Sequence, residues 1–289
     1  MRGNFMSDIK QVLVLGTGVL GSQIAFQAAY TGFQVIAYDI NDDAVAAAQP
    51  RIAGLMKTYL AEVPDATQAT VDAAQARLSH STDLAEAVAD ADLVIEAIPE
   101  ILELKRETFR ALGDVAPAKT IFATNSSTLL PSDIVDATGR PDRFIAIHFA
   151  NRIWTSNTAE IMGTVLTSPE VFDRVVEFAG EMGMVAVPIR KEKAGYVLNS
   201  LLVPFLDAAL DLAAGGYAEP KDVDNTWRIA TGAPLGPFQI YDIIGMNTPY
   251  NIMVNGDERA RAHAAWLKEN YIDQGKLGIA SGEGFYKYS

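Results

Sequence analysis

Residues 11–21 read QVLVLGTGVLG, an apolar run followed by a turn that carries three glycines. Residues 12–15 predict a β-strand, and a helix is predicted to begin at Gly21. In such a strand-turn-helix unit, Gly16 permits the tight turn, Gly18 lets the backbone approach a pyrophosphate and Gly21 lets the helix pack closely on the strand. The helix N-terminus then offers unpaired N–H groups to the phosphates. The pattern therefore predicts a dinucleotide cradle near the start of the chain.

The glycine-rich turn opens a longer alternation of strands and helices. Up to about Pro188, short apolar runs rich in β-branched and aromatic residues alternate with alanine-rich helical stretches, which is typical of βαβ units. The predicted strands are residues 12–15, 34–38, 93–96, 121–123, 144–147 and 185–188. The predicted helices between them are residues 21–31, 42–60, 67–77, 100–115 and 169–182. We therefore predict a Rossmann-type α/β domain with a doubly wound, mostly parallel sheet.

The character of the chain changes at the charged segment 190–193, beyond which only helices and loops are predicted. The predicted helices are residues 195–214, 220–231 and 258–270. Pro204 predicts a kink in the first of these. We place the domain boundary here, with residues 1–192 forming the dinucleotide-binding domain and residues 193–289 an all-α domain.

Composition excludes several classes of partner and chemistry. The net charge is −13 and 49% of the 289 residues are hydrophobic, yet no apolar run is long enough to span a bilayer. A negative surface opposes binding to nucleic acids and to anionic membranes. The absence of cysteine removes disulfides, thiolate nucleophiles and cysteine metal ligands, and we predict no metal site. No apolar signal segment precedes the first strand, so we expect a cytoplasmic protein.

An acidic residue follows the second predicted strand. Asp39 lies eighteen positions after Gly21, where its carboxylate can accept hydrogen bonds from the ribose hydroxyls of a dinucleotide. A 2′-phosphate would be repelled there and no arginine directly follows, so NAD is favoured over NADP. The alternative is a generic glycine-rich turn with an unrelated surface aspartate. FAD uses a similar fingerprint, but a small helical C-terminal half favours a nicotinamide enzyme.

One of the three histidines lies at the end of a predicted buried strand. His148 follows the strand 144–147, and the carboxyl ends of strands line the ligand crevice of open α/β sheets. Glu160, twelve residues further on, can orient the imidazole and stabilise its protonated form, so the two are a candidate proton-transfer pair at a carbonyl. A purely structural histidine is the alternative. His80 and His263 lie among polar residues and are predicted to be solvated.

Ordered motifs along almost the whole chain resemble the short-chain L-3-hydroxyacyl-CoA dehydrogenase family. The matching segments are residues 16–21 with 39, 94–100 with 105, 122–127, 142–149, 160, 199–204, 236–238 and 282–286. The stretch from His148 through Trp154 to Glu160 most resembles the diketoreductase branch, which reduces β,δ-diketo esters. The resemblance implies an NAD(H)-dependent oxidoreductase that interconverts a 3-oxo or 3,5-dioxo group and the L-3-hydroxy group of an acyl-CoA or ester. It also implies a homodimer, with residues 198–205 either forming its interface or covering their own core.

The resemblance implies roles for individual residues. His148 is the general acid/base, Glu160 is its orienting partner, and Ser127 and Asn199 contact the substrate, which is expected to bind between the two domains. The implied cofactor contacts are Gly16, Gly18, Val19, Leu20, Gly21, Asp39, Ile98, Glu100, Lys105, Asn125 and Asn151. A helix cap is the alternative for Ser127, and a satisfied polar group in an apolar helix for Asn199. Trp154 either narrows the substrate pocket or packs against the sheet.

Three departures from the family pattern bear on the substrate. The family usually has Phe-Asn-Pro after its histidine, where this chain has Ala150-Asn151-Arg152. Residues 279–282 lack a lysine expected near the cofactor. Only Arg51 and Lys57 lie where several family lysines serve the coenzyme A phosphates. Together with the net charge of −13, the last of these departures weakens the coenzyme A assignment and makes a small or diketo substrate credible.

Other functions remain open at this point. The β-hydroxyacid dehydrogenases share the two-domain plan but use a lysine four residues before an asparagine, and here Gly195 stands four residues before Asn199. A dehydrogenase of a small 3-hydroxy acid would need no coenzyme A. A non-catalytic NAD-binding or crystallin-like structural protein would need none of the four candidate catalytic side chains.

Overall fold

The structure is a computed structural model and describes residues 7–288 of the chain. Its internal contacts divide the chain into two compact units, one ending at Val197 and the other beginning at Leu198. Within the described residues the first unit contains helices and a sheet, and the second contains helices and short 3₁₀ turns. The boundary that we predict after residue 192 lies slightly earlier in the chain.

The first unit is built on one sheet, which has eight strands within the described residues. The strands are β1 (Gln11–Leu15), β2 (Gln34–Tyr38), β3 (Leu78–Ser81), β4 (Leu93–Glu96), β5 (Ile121–Thr124), β6 (Phe144–Phe149), β7 (Thr158–Gly163) and β8 (Val185–Ile189). Their order across the sheet is β3-β2-β1-β4-β5-β6-β7-β8. Every neighbouring pair is parallel except β6 and β7, which are antiparallel. The direction of winding reverses between β1 and β4, where doubly wound sheets open their ligand crevice.

Helices follow most strands of the first unit and make up the second unit. The first unit contains α1 (Val19–Tyr30), α2 (Asp42–Glu62), α3 (Gln68–Arg77), α4 (Leu84–Val88), α5 (Leu102–Val115) and α6 (Pro169–Glu181). The second contains α7 (Leu198–Ala214), α8 (Pro220–Thr231), α9 (Pro237–Ile244), α10 (Asn247–Met253) and α11 (Glu258–Asn270). None of the helices in residues 7–288 is both long and apolar enough to cross a bilayer. The predicted fold class, a doubly wound and mostly parallel sheet followed by helices, is confirmed.

The first strand shows why the opening sequence is continuously apolar. Val12 and Val14 belong to one hydrophobic core, while Leu13 and Leu15 belong to a second, separate core. Alternate residues of a strand point to opposite faces, so both faces of β1 are buried. A central strand of a parallel sheet is covered by helices on both sides, so its sequence is continuously apolar and does not alternate with polar residues.

Two buried aspartates organise the second unit. Asp224 accepts hydrogen bonds from the backbone N–H groups of Phe238 and Gln239, at 2.8 and 3.0 Å. Asp242 accepts hydrogen bonds from the N–H groups of Phe285 and Tyr286, at 2.8 and 2.9 Å. These bonds tie the start of α9 and the C-terminal segment into the core, since each carboxylate satisfies two backbone donors.

Several segments differ from the sequence-based expectations. His80, predicted in a polar loop, lies in β3, whose residues are polar because β3 is at the edge of the sheet. His263, predicted to be solvated, is 5% exposed, and its Nε2 lies 2.9 Å from Asp211 Oδ1. The helix predicted from Gly195 begins at Leu198, because Gly195 and Tyr196 have left-handed backbone angles (φ +79° and +53°) that no α-helix accepts. Strand β7 and helices α4, α9 and α10 were not predicted.

Candidate active site

The turn between β1 and α1 has the geometry of a dinucleotide cradle. Gly16 has φ +92°, and a Cβ at this position would lie 2.7 Å from the carbonyl oxygen of Ala97. At Gly21 a Cβ would lie 1.9 Å from the carbonyl oxygen of Gly16, so helix and turn touch through backbone alone. Val19 and Leu20, which precede Gly21, are the first two residues of α1. These two glycines are therefore required by the protein's own packing.

Gly18 is different, because a Cβ there would meet no protein atom within 4 Å. It is the N-cap of α1, and its backbone is in an extended conformation open to any residue. Nothing in the surrounding protein explains a glycine at this position. Close approach of a phosphate to the backbone does explain it, and the adjacent helix N-terminus would bind the same anion. The turn therefore fits the pyrophosphate of a dinucleotide.

Asp39 follows β2 and lies beside this turn. Its Oδ2 accepts hydrogen bonds from the N–H and hydroxyl of Thr17, at 2.8 and 2.6 Å, and its Oδ1 accepts one from Ile40 N at 2.9 Å. Burial raises the pKa of the Asp39 carboxyl, but the hydrogen bonds from Thr17 and Ile40 and the charge of Arg51 outweigh it and lower that pKa overall. An anionic acceptor is what the ribose diol of NAD requires.

The ends of β4 and β5 are joined by a buried ion-pair network. Glu96 is fully buried at the end of β4 and accepts a hydrogen bond from Thr124 Oγ1 at 2.7 Å and one from Ile98 N at 2.8 Å. Lys105, 1% exposed, places its Nζ 2.6 Å from Glu96 Oε1 and 3.2 Å from Glu100 Oε2. Burying charges is costly unless every charge is paired and hydrogen-bonded, as these are. Lys105 is therefore held by one buried carboxylate and one partly exposed carboxylate.

Glu100 shapes the turn that carries Ser127. Its Oε1 accepts hydrogen bonds from the Ser126 hydroxyl, from the N–H of Ser127 at 3.0 Å and from the N–H of Thr128 at 2.9 Å. Burial raises the pKa of the Glu100 carboxyl, but the Ser126 and Thr128 hydrogen bonds and the Lys105 charge lower it to about 2. Glu100 is therefore an anion throughout the physiological range.

The central pair is a direct cross-strand contact. His148 in β6 and Glu160 in β7 are opposite each other in the antiparallel ladder, and opposed side chains on one face of such a ladder are neighbours. His148 Nδ1 lies 2.9 Å from Glu160 Oε2, and the two residues are 6% and 4% exposed. The carboxylate accepts, so Nδ1 carries the proton that donates. The twelve-residue spacing in the sequence is thus the length of a strand-loop-strand hairpin.

The second nitrogen and one face of the imidazole also contact neighbouring side chains. His148 Nε2 lies 3.2 Å from Ser127 Oγ, so the ring bridges a carboxylate and a hydroxyl. The ring of Tyr196 stacks on the imidazole with centroids 4.7 Å apart and planes at 19°. Tyr196 in turn donates its hydroxyl proton to the carbonyl oxygen of Ser126 at 2.8 Å. Sequence reasoning missed Tyr196, since no motif distinguishes it and only the fold brings it to His148.

The loop between β6 and β7 is fastened to α1 and α2. Arg152 has φ +61°, its N–H donates to Gln23 Oε1 at 2.8 Å, and its Nη2 lies 2.8 Å from Glu62 Oε2. Trp154 Nε1 donates to the same Glu62 oxygen at 2.8 Å, and its ring centroid lies 5.6 Å from that of Tyr59. The Trp154 side chain therefore packs against α2 within the first unit, and its role in a substrate pocket stays a prediction.

The remaining predicted residues lie in different surroundings. Asn125 accepts a hydrogen bond from Phe149 N at 3.0 Å and links the ends of β5 and β6. Asn151 is exposed in the loop after β6. Asn199 lies in the first turn of α7 in the second unit. The proposed contacts of these residues with cofactor or substrate remain predictions.

The predicted residues of the first unit share one edge of the sheet. The carboxyl ends of β1, β4, β5 and β6 carry the glycine-rich turn, Ile98, Asn125 with Ser127, and His148, respectively. A dinucleotide cradle, an anionic ribose acceptor and a hydrogen-bonded Ser-His-Glu chain therefore lie along the same crevice edge. Such an arrangement can hold a nicotinamide dinucleotide and transfer a proton at a carbonyl.

Comparison with known proteins agrees with this geometry. The sequence model of the 3-hydroxyacyl-CoA dehydrogenase NAD binding domain matches residues 11–193, and that of the C-terminal domain matches residues 195–288. The chain is 37% identical to the mitochondrial hydroxyacyl-coenzyme A dehydrogenase of Rattus norvegicus, over 97% of this chain and 91% of that one.

Two solved structures extend the comparison. A diketoreductase that acts on dicarbonyl compounds is 61% identical, with a TM-score of 0.95 over 98% of this chain and 100% of the other. The (S)-3-hydroxybutyryl-CoA dehydrogenase of Ralstonia eutropha is 28% identical, with a TM-score of 0.85 over 98% and 100% of the two chains. The chain belongs to the 3-hydroxyacyl-CoA dehydrogenase family and is an NAD-dependent oxidoreductase.

Proposed function

We propose that this chain reduces a 3-oxo or 3,5-dioxo compound to its L-3-hydroxy product, and catalyses the reverse oxidation, with His148 as the general acid/base. The observation that carries the proposal is the hydrogen-bonded chain from Glu160 through His148 to Ser127, at 2.9 and 3.2 Å. When bound, NADH supplies the hydride that reduces the carbonyl carbon. The task of the protein is then to deliver one proton to the carbonyl oxygen.

The chain of side chains suits this proton delivery. Glu160 accepts from Nδ1 and stabilises the positive charge of a protonated imidazole, so that Nε2–H is the acidic group. Nε2 points at the Ser127 hydroxyl, which places the transferable proton at the side of the site where Ser127 lies. Burial of His148 and Glu160 keeps bulk water from competing for that proton. In the oxidative direction the neutral imidazole takes the proton back from the hydroxyl group.

We propose that the cofactor binds along the edge formed by the glycine-rich turn and the ends of β4 and β5. Gly16, Gly18 and Gly21 with the start of α1 would hold the pyrophosphate, and Asp39 the adenosine ribose. The proposed contacts of the rest of the cofactor are Ile98, Glu100, Lys105, Asn125 and Asn151. Lys105 and Glu100 would contact the cofactor while also keeping their ion pair with each other, and Lys105 its ion pair with Glu96.

For the substrate we propose a dicarbonyl ester in preference to an acyl-CoA. The 61% identity to a diketoreductase supports this choice, as does the net charge of −13, which opposes a polyanionic ligand. The cation Arg152 is paired with Glu62 and is therefore partly neutralised as a partner for a phosphate. Trp154 and Asn199 are proposed to border the substrate, from the family resemblance alone.

A steady-state comparison tests the proposal. Oxidation of NADH is followed with a 3,5-dioxo ester, with acetoacetyl-CoA and with a small 3-oxo acid, and the configuration of the product is determined by chiral chromatography. We expect the highest kcat/KM for the dioxo ester and an L-3-hydroxy product. Turnover of acetoacetyl-CoA alone would assign the chain to acyl-CoA chemistry, and turnover of none would contradict the proposed function.

The proposed acid/base is tested by His148→Ala. Because general acid catalysis contributes about 10²–10⁴-fold, kcat should fall by that factor while NADH affinity stays unchanged. His80→Ala is the matched control, since His80 lies in β3 at the far edge of the sheet, and it should retain wild-type kcat. A His148→Ala enzyme with wild-type kcat would remove His148 from the mechanism.

We also propose a homodimer formed through the second unit and a cytoplasmic location. Leu201 of α7 is 69% exposed, whereas Leu202 and Phe205 pack against the core of their own unit, so only part of the predicted apolar face is available. Sedimentation of the purified protein tests the dimer, and a monomer at micromolar concentration would contradict it.

A further inference from the structure

Two opposite charges flank Thr17, the second residue of the glycine-rich turn. On one side, the Asp39 carboxylate binds the N–H and hydroxyl of Thr17 at 2.8 and 2.6 Å. On the other side, Arg51 of α2 directs its Nη1 to the carbonyl oxygen of Thr17 at 3.3 Å. The sequence offers no arginine directly after Asp39, but the fold supplies one from the third turn of the next helix.

The guanidinium of Arg51 has hydrogen-bond donors that its contacts with the described residues leave unused. Its two hydrogen bonds, to the carbonyl oxygens of Thr17 and Ala47 at 3.3 and 2.9 Å, both use Nη1. Among the described residues, no carboxylate lies within salt-bridge distance of its guanidinium. A guanidinium has five N–H donors in a planar fork that matches phosphate oxygens. The charge and the unused donors of Arg51 are therefore available at the solvent-exposed end of the turn.

This cation lies near Asp39, the proposed ribose acceptor, because both residues hydrogen-bond to Thr17. Asp39 is the residue that accepts from the adenosine ribose hydroxyls in folds of this kind, and the Arg51 charge is close enough to act on the Asp39 carboxyl. A group attached to the ribose 2′-oxygen would take the space next to that carboxylate. A phosphate there would meet a repelling anion on one side and a guanidinium on the other.

We propose that Arg51 is a preformed site for a ribose 2′-phosphate, which the Asp39 charge keeps closed. The inference rests on the NAD assignment and on no property of the substrate. Removing the carboxylate both ends the repulsion and leaves the guanidinium as the nearest charged partner of the phosphate.

The test is equilibrium binding of NADH, NADPH and adenosine 2′,5′-bisphosphate to the full-length protein by calorimetry. Adenosine 2′,5′-bisphosphate has no nicotinamide, so its binding is independent of catalysis. Asp39→Ala should bind NADPH and the bisphosphate about tenfold to a hundredfold more tightly than wild type, as expected for one charge-assisted hydrogen-bonded contact. Its NADH affinity should fall, because the ribose diol loses its acceptor.

Three further variants assign the gain to Arg51. Adding Arg51→Ala to Asp39→Ala should abolish the gain, whereas adding Lys57→Ala, a second exposed cation of α2, should leave it intact. Asp39→Asn keeps an acceptor for Thr17 and should show a gain in the same direction if Asp39→Ala proves poorly folded.

Three results would overturn the proposal. They are the absence of tighter NADPH binding in both Asp39 variants, a gain that survives Arg51→Ala, and a gain that Lys57→Ala removes equally. The last would mean that the general field of α2, and not a site at Arg51, attracts the phosphate. Failure of the proposed substrate or of His148 would leave these binding results unaffected.

Discussion

Replacing Glu160 with glutamine tests the proton-transfer chain at its least accessible member. Glu160 Oε2 lies 2.9 Å from His148 Nδ1, and Oε1 accepts a hydrogen bond from Val197 N at 2.8 Å. The Val197 N–H can only donate, so the glutamine must turn its carbonyl oxygen toward Val197. Its NH₂ group then faces His148 Nδ1, which must become the acceptor.

The expected fall in kcat of Glu160→Gln can be estimated from this forced orientation. Losing a hydrogen bond to a buried charge costs about 1.5–3 kcal/mol, or roughly 10- to 150-fold in rate. The neutral imidazole also adopts the wrong tautomer, and an analogous carboxylate-to-amide change in serine-protease triads lowers kcat by about 10⁴. We therefore expect kcat for Glu160→Gln to fall by about 10²–10⁴, with unchanged KM for NADH.

The assay is NADH oxidation under saturating substrate, with single-turnover measurements to isolate the chemical step. Glu170→Gln, an exposed change in the first turn of α6, is the matched control and should leave kcat unaltered. Far-ultraviolet circular dichroism and urea denaturation verify that both variants fold. A kcat within about fivefold of wild type for folded Glu160→Gln would refute the reasoning, because the imidazole would then need no carboxylate.

Three further substitutions test the glycine-rich turn and Glu100. Gly21→Ala should lower the free energy of unfolding by at least about 1–3 kcal/mol, since its Cβ would lie 1.9 Å from Gly16 O. Gly18→Ala meets no protein atom within 4 Å and should cost less than about 1 kcal/mol yet weaken NADH binding; wild-type NADH affinity in this variant would contradict the cradle. Folding lowers the pKa of Glu100 from 4.5 to about 2, so its stabilising contribution is complete above about pH 4.5 and is lost as the pH falls toward 2. Glu100→Gln should therefore lose about 1–2 kcal/mol of unfolding free energy at pH 7, a figure discounted for partial exposure, and converge with wild type near pH 2 in urea denaturation; a pH-independent difference would exclude this origin.

The Glu96–Lys105–Glu100 network, in which Glu96 and Lys105 are buried and Glu100 is partly exposed, links the cofactor edge to the catalytic side chains. Lys105 holds Glu100, and Glu100 binds the backbone of the turn from which Ser127 reaches His148. Removing one partner of the buried Glu96–Lys105 pair is expected to cost about 3–5 kcal/mol, because a buried charge is left unpaired. The position of Ser127 therefore depends on residues more than twenty positions earlier in the chain.

Elements whose signal lies within one short segment of the sequence were predictable. The glycine-rich turn and the strands β1, β2, β4, β5, β6 and β8 were anticipated, because apolar runs bounded by turns and helices carry their own signal. Strand β3 lacked that signal, since an edge strand with polar residues resembles a loop. Strand β7 was not separated from its surroundings because Glu160 interrupts its apolar run with a charge.

The fold class, the dinucleotide cradle and the candidate His148–Glu160 pair could therefore be predicted from the amino-acid sequence. Glycine conformation, hydrophobic periodicity and residue chemistry are local properties, and they remain visible in a linear string. Three contacts became visible only in the folded chain: His148 and Glu160 are opposed across an antiparallel ladder, Tyr196 stacks on the imidazole, and Arg51 reaches Thr17. These contacts join residues of different elements, so their formation depends on strand order and register, which no single segment of the sequence contains.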